Sequence, residues 1–376
     1  MDSAAISLGQ RSDFALALSG GGVRAMAFHL GVLRYLAEQD ALERVSQLST
    51  VSGGSLLVGL LLHEHDGQWP GSAPFLQQLY PALREKLCSR SLLLSGLRQL
   101  FNPLNWRFLL SRANLLALGL RNEWGVDGLL SQIDARPDWS INGTTAENGK
   151  RFRFKRSNMG DYSIGYAATG DMPLAEALAV SAAFPGGIGP LVLDSRRFKW
   201  MQRGWDAPLN TAVETKLPFS RLHLYDGGVY DNLGLEPFFD AATGRSKRYE
   251  YPIIASDAGA PLKPGFRAGV LSPWRLKRIA DIMSDQSRAL RIRGFVEYLN
   301  QAPGRGSYLG ITSALIEASA GSDAAFAANV PTSLDRLSHE AFDRIAGHGY
   351  AVARVTDQQH GLLPTGAATP LTHEPA

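Results

Sequence analysis

An α/β fold, with a parallel sheet covered by helices, is what this sequence predicts from three observations. The run Phe14–Ser19 is apolar enough for a buried strand, and the run 47–51 reads as a second strand. Each run ends in a glycine-rich corner, Gly20-Gly21-Gly22 after the first and Ser52-Gly53-Gly54 after the second. A helical pattern follows each corner, and strand–helix–strand–helix with short connections is the signature of a parallel sheet. The chain has 376 residues, enough for one large core or two modest domains.

The elements follow in order. Val23, Met26, Ala27, Leu30, Leu33 and Ala37 recur at helical spacing and predict a helix over 23–38. Leu56 to His63 is expected as the second helix. After an irregular middle, Arg151 to Arg156 alternates phenylalanine with basic residues, as a half-exposed strand does. Pro173 to Ala183 predicts a helix begun by proline and stopped at Phe184-Pro185-Gly186-Gly187. Arg221–Tyr225 and Tyr251–Ser256 are strand candidates, closing on Asp226-Gly227-Gly228 and Asp257-Ala258-Gly259. Pro273 to Asn300 predicts a long arginine-rich helix, and from about Thr356 a loose tail is expected.

Composition narrows the function classes. A net charge of +3 gives no argument for nucleic acid, and none is expected as a partner. One cysteine, Cys88, leaves no internal disulfide framework and no cysteine-rich metal site. The first residues, MDSAAISLGQRSDF, lack a basic region followed by an apolar core, and no apolar run reaches membrane-span length. A cytoplasmic location is expected. No metal cluster is visible in the sequence, and no cofactor is expected.

The corners carry the chemistry. Three successive glycines leave backbone N–H groups open to an oxyanion or a phosphate. Ser52 stands on a sharp turn at a helix N-terminus, and a serine there beside an oxyanion-binding loop is what acyl transfer needs. The usual elbow is G-x-S-x-G, and here Thr50 takes the place of the first glycine. Ser55 is the rival nucleophile, better explained as a hydrogen bonder at the helix start. Gly20-x-Gly22-x-x-Ala25 also satisfies a dinucleotide fingerprint in form, but the next strand ends in Thr50-Val51-Ser52-Gly53, with no acid for the ribose.

A nucleophilic serine needs a base. His29 and His223 lie inside a helix and a strand, where structural roles are expected. Asp226 ends a strand and would stand at the same edge of a parallel sheet as Ser52, the edge at which ligands bind. Asp257 occupies a similar place and competes with it. Asp231 belongs to the Asp226 loop, and the bland role for all three is to cap a turn.

Four ordered blocks then resemble the marker blocks of the patatin-like phospholipases. They are Gly20-Gly21-Gly22-Val23-Arg24-Ala25, Val51-Ser52-Gly53-Gly54-Ser55, Ala182-Ala183-Phe184-Pro185 and Asp226-Gly227-Gly228-Val229-Tyr230-Asp231-Asn232. The resemblance spans about Phe14 to Gly259, with looser likeness into the arginine-rich helix. It implies a three-layer α/β/α fold with a mainly parallel central sheet, and a serine–aspartate dyad that hydrolyses lipid acyl esters without histidine. It implies Ser52 as nucleophile and Asp226 as base. The Gly20–Gly22 loop, with Arg24 just after it, would form the oxyanion site, supported by Gly53, Gly54, Gly227 and Gly228. Thr50 and Ser19 depart from the family pattern, which usually has glycine and often aspartate there. Two other readings compete: a catalytically weak lipid-binding member of the same fold, and a nucleotide-binding protein using the glycine loop.

Residues 10–310 are the expected catalytic domain, with a leucine-rich helical insertion over about 80–130. A helical extension over 311–355 and a tail over 356–376 would follow. Between Lys86 and Asn122 there is no acidic residue, while Lys86, Arg90, Arg98, Arg107, Arg112 and Arg121 sit among leucines, Phe101, Trp106 and Phe108. Such a segment suits peripheral contact with an anionic membrane. The alternative is an ordinary helical cap with leucines inward and arginines solvated.

Overall fold

The structure, a computed structural model, describes residues 13–362 except 110, 186, 205–206, 248–250, 267–268, 270–271, 273 and 314–319. Twelve strands form its main sheet. These are β1 Phe14–Leu18, β2 Val45–Val51, β3 Asp138–Thr145, β4 Arg151–Phe154, β5 Asn158–Asp161, β6 Gly165–Ala168, β7 Leu191–Asp194, β8 Trp200–Gln202, β9 Val213–Thr215, β10 Arg221–Asp226, β11 Ile253–Asp257 and β12 Gly306–Gly310. The principal helices are α1 Gly22–Glu38, α2 Gly53–His63, α3 Tyr80–Ser89, α4 Leu92–Arg98, α5 Arg112–Asn122, α6 Leu174–Ser181, α7 Gly228–Asp231, α8 Trp274–Asn300, α9 Ala320–Asn329 and α10 His339–His360.

The strand order β12–β11–β1–β2–β3 is parallel throughout, and an antiparallel extension β4–β5–β6–β8–β9 continues from β3. Both faces of the parallel part are buried, which is why β1 reads as an unbroken apolar run. On one face Phe14, Leu16, Leu18 and Ile254 join the large core with α1, α2, α6 and α10. On the other, Ala15, Ala17, Ile253 and Ala255 meet Phe295 and Tyr298 of α8. The result is the three-layer α/β/α arrangement.

Two expectations change. The loose tail does not begin at Thr356, because α10 runs through His360. Its apolar face (Phe342, Ile345, Val352, Ala353) packs in the main core, and Gly361 closes the helix in the left-handed conformation, φ 65°. Residues 363–376 of the expected tail, and Gly186 of the expected helix stop, lie outside the described residues. Second, the irregular middle contains β3, a central strand. Its sequence, DWSINGTT, is too polar to read as buried, but its polar groups are spent internally. Asn142 Nδ2 donates to Ser49 Oγ at 2.9 Å and to the Thr50 carbonyl at 2.8 Å.

Candidate active site

The register of three strands builds the site. β2 runs parallel to β3 and ends with Val51 opposite Asn142. β10 runs antiparallel to β3 and ends with Asp226 opposite Gly143. The other edge of β3 is taken by β4 over Ile141–Thr144, so β2 and β10 share one lane and meet head-on. Asp226 was expected at the edge of a parallel sheet, in the same sense as Ser52. It arrives instead from the opposite direction, and two neighbouring positions on β3 bring the two residues together. Gly227 permits this, since a Cβ there would lie 2.5 Å from the Asn142 carbonyl oxygen.

Ser52 adopts φ 49°, ψ −116°, a conformation that costs a non-glycine residue roughly 1–3 kcal/mol. It is half-buried at the N-terminus of α2. The corner is tight: Cβ atoms at Gly53 and Gly54 would strike the carbonyl oxygens of Gly22 and Leu18, and one at Gly20 would touch Ser52 Cβ at 3.0 Å. Gly22 has φ 62° and abuts the backbone of Ser333. Gly20 N–H donates to the Asn232 carbonyl at 3.1 Å, and Val23 N–H to that of Ser333 at 2.9 Å. Among the described residues, the intervening N–H groups of Gly21 and Gly22 have no protein acceptor. Two adjacent free amides beside a strained serine can bind a developing oxyanion.

Asp226 is 3 % exposed. Burial pushes its carboxyl from the ordinary 3.8 up to about 7, opposed by the Gly228 N–H, which donates to Oδ1 at 2.7 Å, and by a hydrogen bond from the Ser52 side chain. Among the described residues no cation pairs with it. A base of this strength accepts a serine proton far more readily than a solvated aspartate does.

The rival residues are occupied elsewhere. Asp257, fully buried, is paired with Arg288 and accepts from Tyr308 Oη at 2.6 Å and Gly259 N–H at 2.8 Å. Asp231 accepts the N–H groups of Leu233 and Glu236, at 3.1 and 2.8 Å. His29 is sealed in the core between the Ser256 hydroxyl and the Ser19 carbonyl, and burial holds its pKa down at about 4. It is therefore neutral: Nε2 donates to Ser19 and Nδ1 accepts from Ser256. His223 pairs with Glu147 on the surface. Ser55 is fully buried, and its hydroxyl contacts Thr50 Oγ1 and Ser181 Oγ rather than a helix-start amide.

Arg24 is buried and donates to the carbonyls of Val330 at 2.7 Å and Ala258 at 3.0 Å, its guanidinium lying behind Gly21. It braces the loop from the protein side. Asn232 is the residue whose importance the sequence did not reveal. Its Oδ1 would lie 2.7 Å from a Cβ at Gly228 and closer still to one at Gly20, so its carboxamide stands between the two corners. Position within a quoted block was the available signal. Among the described residues no metal-binding cluster of histidine, cysteine and carboxylates occurs.

The segment over 86–122 is helical, in α3–α5 and short 3₁₀ turns. Leu92, Leu115, Leu116 and Leu120 point inward, whereas Phe101, Leu104 and Trp106 are 88, 76 and 58 % exposed. Part of its basic charge is used locally: Arg98 pairs with Glu123, and Arg90 and Arg112 bond carbonyls of Glu123 and Gly187. Among the described residues no helix is long and apolar enough to cross a membrane.

Known proteins share this architecture. The structure of human GIVD cytosolic phospholipase A2 matches with a TM-score of 0.53 at 14 % identity, covering 93 % of this chain and 61 % of that one. The same protein in complex with methyl gamma-linolenyl fluorophosphonate gives 0.51 at 15 % identity, covering 93 % and 58 %. The chain thus spans about three-fifths of the length of these neighbours, and at such identity the likeness concerns the fold. No curated protein matches the sequence. The family described as patatin-like phospholipase matches residues 16–239, well over half of the chain. The chain belongs to the patatin-like phospholipase family, whose members are lipid acyl hydrolases.

Proposed function

We propose that this protein hydrolyses carboxylic esters of lipids with Ser52 as nucleophile and Asp226 as base. The observation that carries the reading is the head-on meeting of β2 and β10 beside β3, at Val51–Asn142 and Asp226–Gly143. Asp226 takes the proton from Ser52 Oγ as that oxygen attacks the ester carbonyl carbon. The carbonyl oxygen, now negative, is received by the Gly21 and Gly22 amides of the Gly20–Gly22 loop, each such donor being worth roughly 2.7–4 kcal/mol. When the intermediate collapses, the proton on Asp226 passes to the departing alcohol. Water then attacks the acyl-serine by the same route and releases the fatty acid.

The exposed Phe101, Leu104 and Trp106, set in a segment free of acids, suit peripheral contact with an anionic lipid surface. Replacing Phe101 and Trp106 by serine is expected to weaken sedimentation with anionic vesicles about tenfold while sparing hydrolysis of a short soluble ester. Incubating the protein with phospholipids and neutral glycerides, and identifying the released fatty acids, tests the main reading. Release by wild type, absent in folded Ser52→Ala, is the expected outcome; undiminished release by Ser52→Ala removes the mechanism.

A further inference from the structure

Behind the nucleophile lies a chain of hydroxyls that no part of the reaction above uses. Trp139 Nε1–H donates to Thr50 Oγ1 at 2.9 Å. Thr50 Oγ1 lies 2.7 Å from Ser55 Oγ, and Ser55 Oγ lies 2.8 Å from Ser181 Oγ. Ser181 Oγ donates to the Asn142 carbonyl at 2.7 Å and accepts the Ser52 N–H at 3.0 Å. Thr50, Ser55 and Ser181 are all fully buried.

Proton counting fixes every direction. Indole nitrogen can only donate and a backbone carbonyl can only accept. Ser181 spends its one proton on Asn142, so the proton between it and Ser55 belongs to Ser55. Thr50 must then supply the proton in its contact with Ser55. The chain runs one way, from Trp139 through Thr50 and Ser55 to Ser181 and Asn142. Ser181 Oγ is left with its accepting side toward Ser55 and the Ser52 amide. Thr50, standing where an elbow glycine is usual, is therefore part of the support for the turn.

The same end of α6 also holds the other partner. Two residues after Ser181, the Ala183 carbonyl accepts the Asp226 N–H at 3.1 Å. One short stretch, Ser181–Ala183, thus grips the backbone of both residues whose side chains must meet.

We infer that Ser181 is a positioning residue, which holds Ser52 in its strained conformation and sets its distance from Asp226. This inference rests on the reading of Ser52 as nucleophile. Without the Ser181 acceptor, the Ser52 amide can relax toward ordinary backbone angles and swing the hydroxyl off the carboxylate. Because the Ser52 hydrogen bond favours ionised Asp226, loosening it should also move the acidic limb of the rate profile upward.

The test is the rate of phosphonylation by a fluorophosphonate probe, with the labelled peptide identified, in wild type, Ser181→Ala, Ser181→Thr and Ile345→Ala. The last opens a cavity in α10 and serves as a control for lost stability. Ser181→Ala is expected to label about 30-fold more slowly, with the acidic limb displaced to higher pH, while Ser181→Thr, keeping the hydroxyl, recovers most of the rate. Ile345→Ala should label within about twofold of wild type despite melting earlier. Wild-type labelling in Ser181→Ala, or rates that follow melting temperature in all variants, would overturn the inference alone. A wild-type protein that is not labelled at Ser52 overturns both this inference and the proposed mechanism.

Discussion

Asp226 and Asp257 each end a strand, are both buried, and are both followed by a small residue, yet their surroundings are opposite. Asp257 is neutralised by Arg288 and hydrogen-bonded by Tyr308 and Gly259. Among the described residues, Asp226 has one backbone donor, one serine and no cation, and burial lifts its pKa to about 7. A buried carboxylate with a counterion is compensated in place and serves architecture. One without is costly to ionise, and so is poised to take up a proton. This contrast supports the proposed role of Asp226 in proton transfer.

Exchanging their chemistry should separate the two most sharply. Asp226→Asn is expected to lower kcat about 10⁴-fold, whereas Asp257→Asn should keep kcat per folded molecule within about tenfold, measured on a soluble ester. Next in size, Arg288→Met would strip the buried Asp257 of its counterion. It should cost roughly 3–5 kcal/mol in urea unfolding at neutral pH, against little loss of kcat in the fraction that remains folded.

The pH dependence sharpens the contrast further. The folded pKa of Asp226 is raised, so its contribution to stability is fully present below 3.8 and is lost as pH rises through about 7. Denaturation midpoints of wild type relative to Asp226→Asn should therefore fall across that window, and hydrolysis should rise with pH through an acidic limb near 7. A flat difference between the two proteins would contradict the assignment. Smallest is Gly228→Ala, whose Cβ would sit 3.1 Å from Asp226 Oδ1 and 2.7 Å from Asn232 Oδ1. A roughly three- to tenfold loss of kcat with about 1 kcal/mol of destabilisation is expected there.

The parts of this site legible in the sequence are those whose physics is local. Glycine corners after apolar runs announce Ser52 and the Gly20–Gly22 loop, because close backbone approach demands glycine at those positions. The second helix was expected from Leu56 but begins at Gly53, since two glycines poor in helix propensity hide its first turn. The head-on approach of β10 was not legible, because a short strand carries no mark of its partner's direction. The choice of Asp226 over Asp257 came from the family resemblance alone, since its physical basis depends on Arg288 and Tyr308 arriving from elsewhere in the chain. Ser181 and Asn142 lie 129 and 90 positions from Ser52 and looked like ordinary polar residues, since only the folded sheet gives their hydrogen bonds a destination.

The contact between Gly22 and Ser333 has a consequence for how the molecule is completed. Val23 takes its acceptor from Ser333 and Arg24 from Val330, so the Gly20–Gly22 corner is finished by residues some three hundred positions downstream. α10 then clamps α1 at two crossings where side chains give way to backbone, Gly31 on Ala346 and Gly349 on Phe28. A chain cut before position 330 would keep every residue named in the proposed chemistry and still lack a braced amide loop. Competence for catalysis would wait until the stretch Val330–Ser333 has folded back onto the glycine loop.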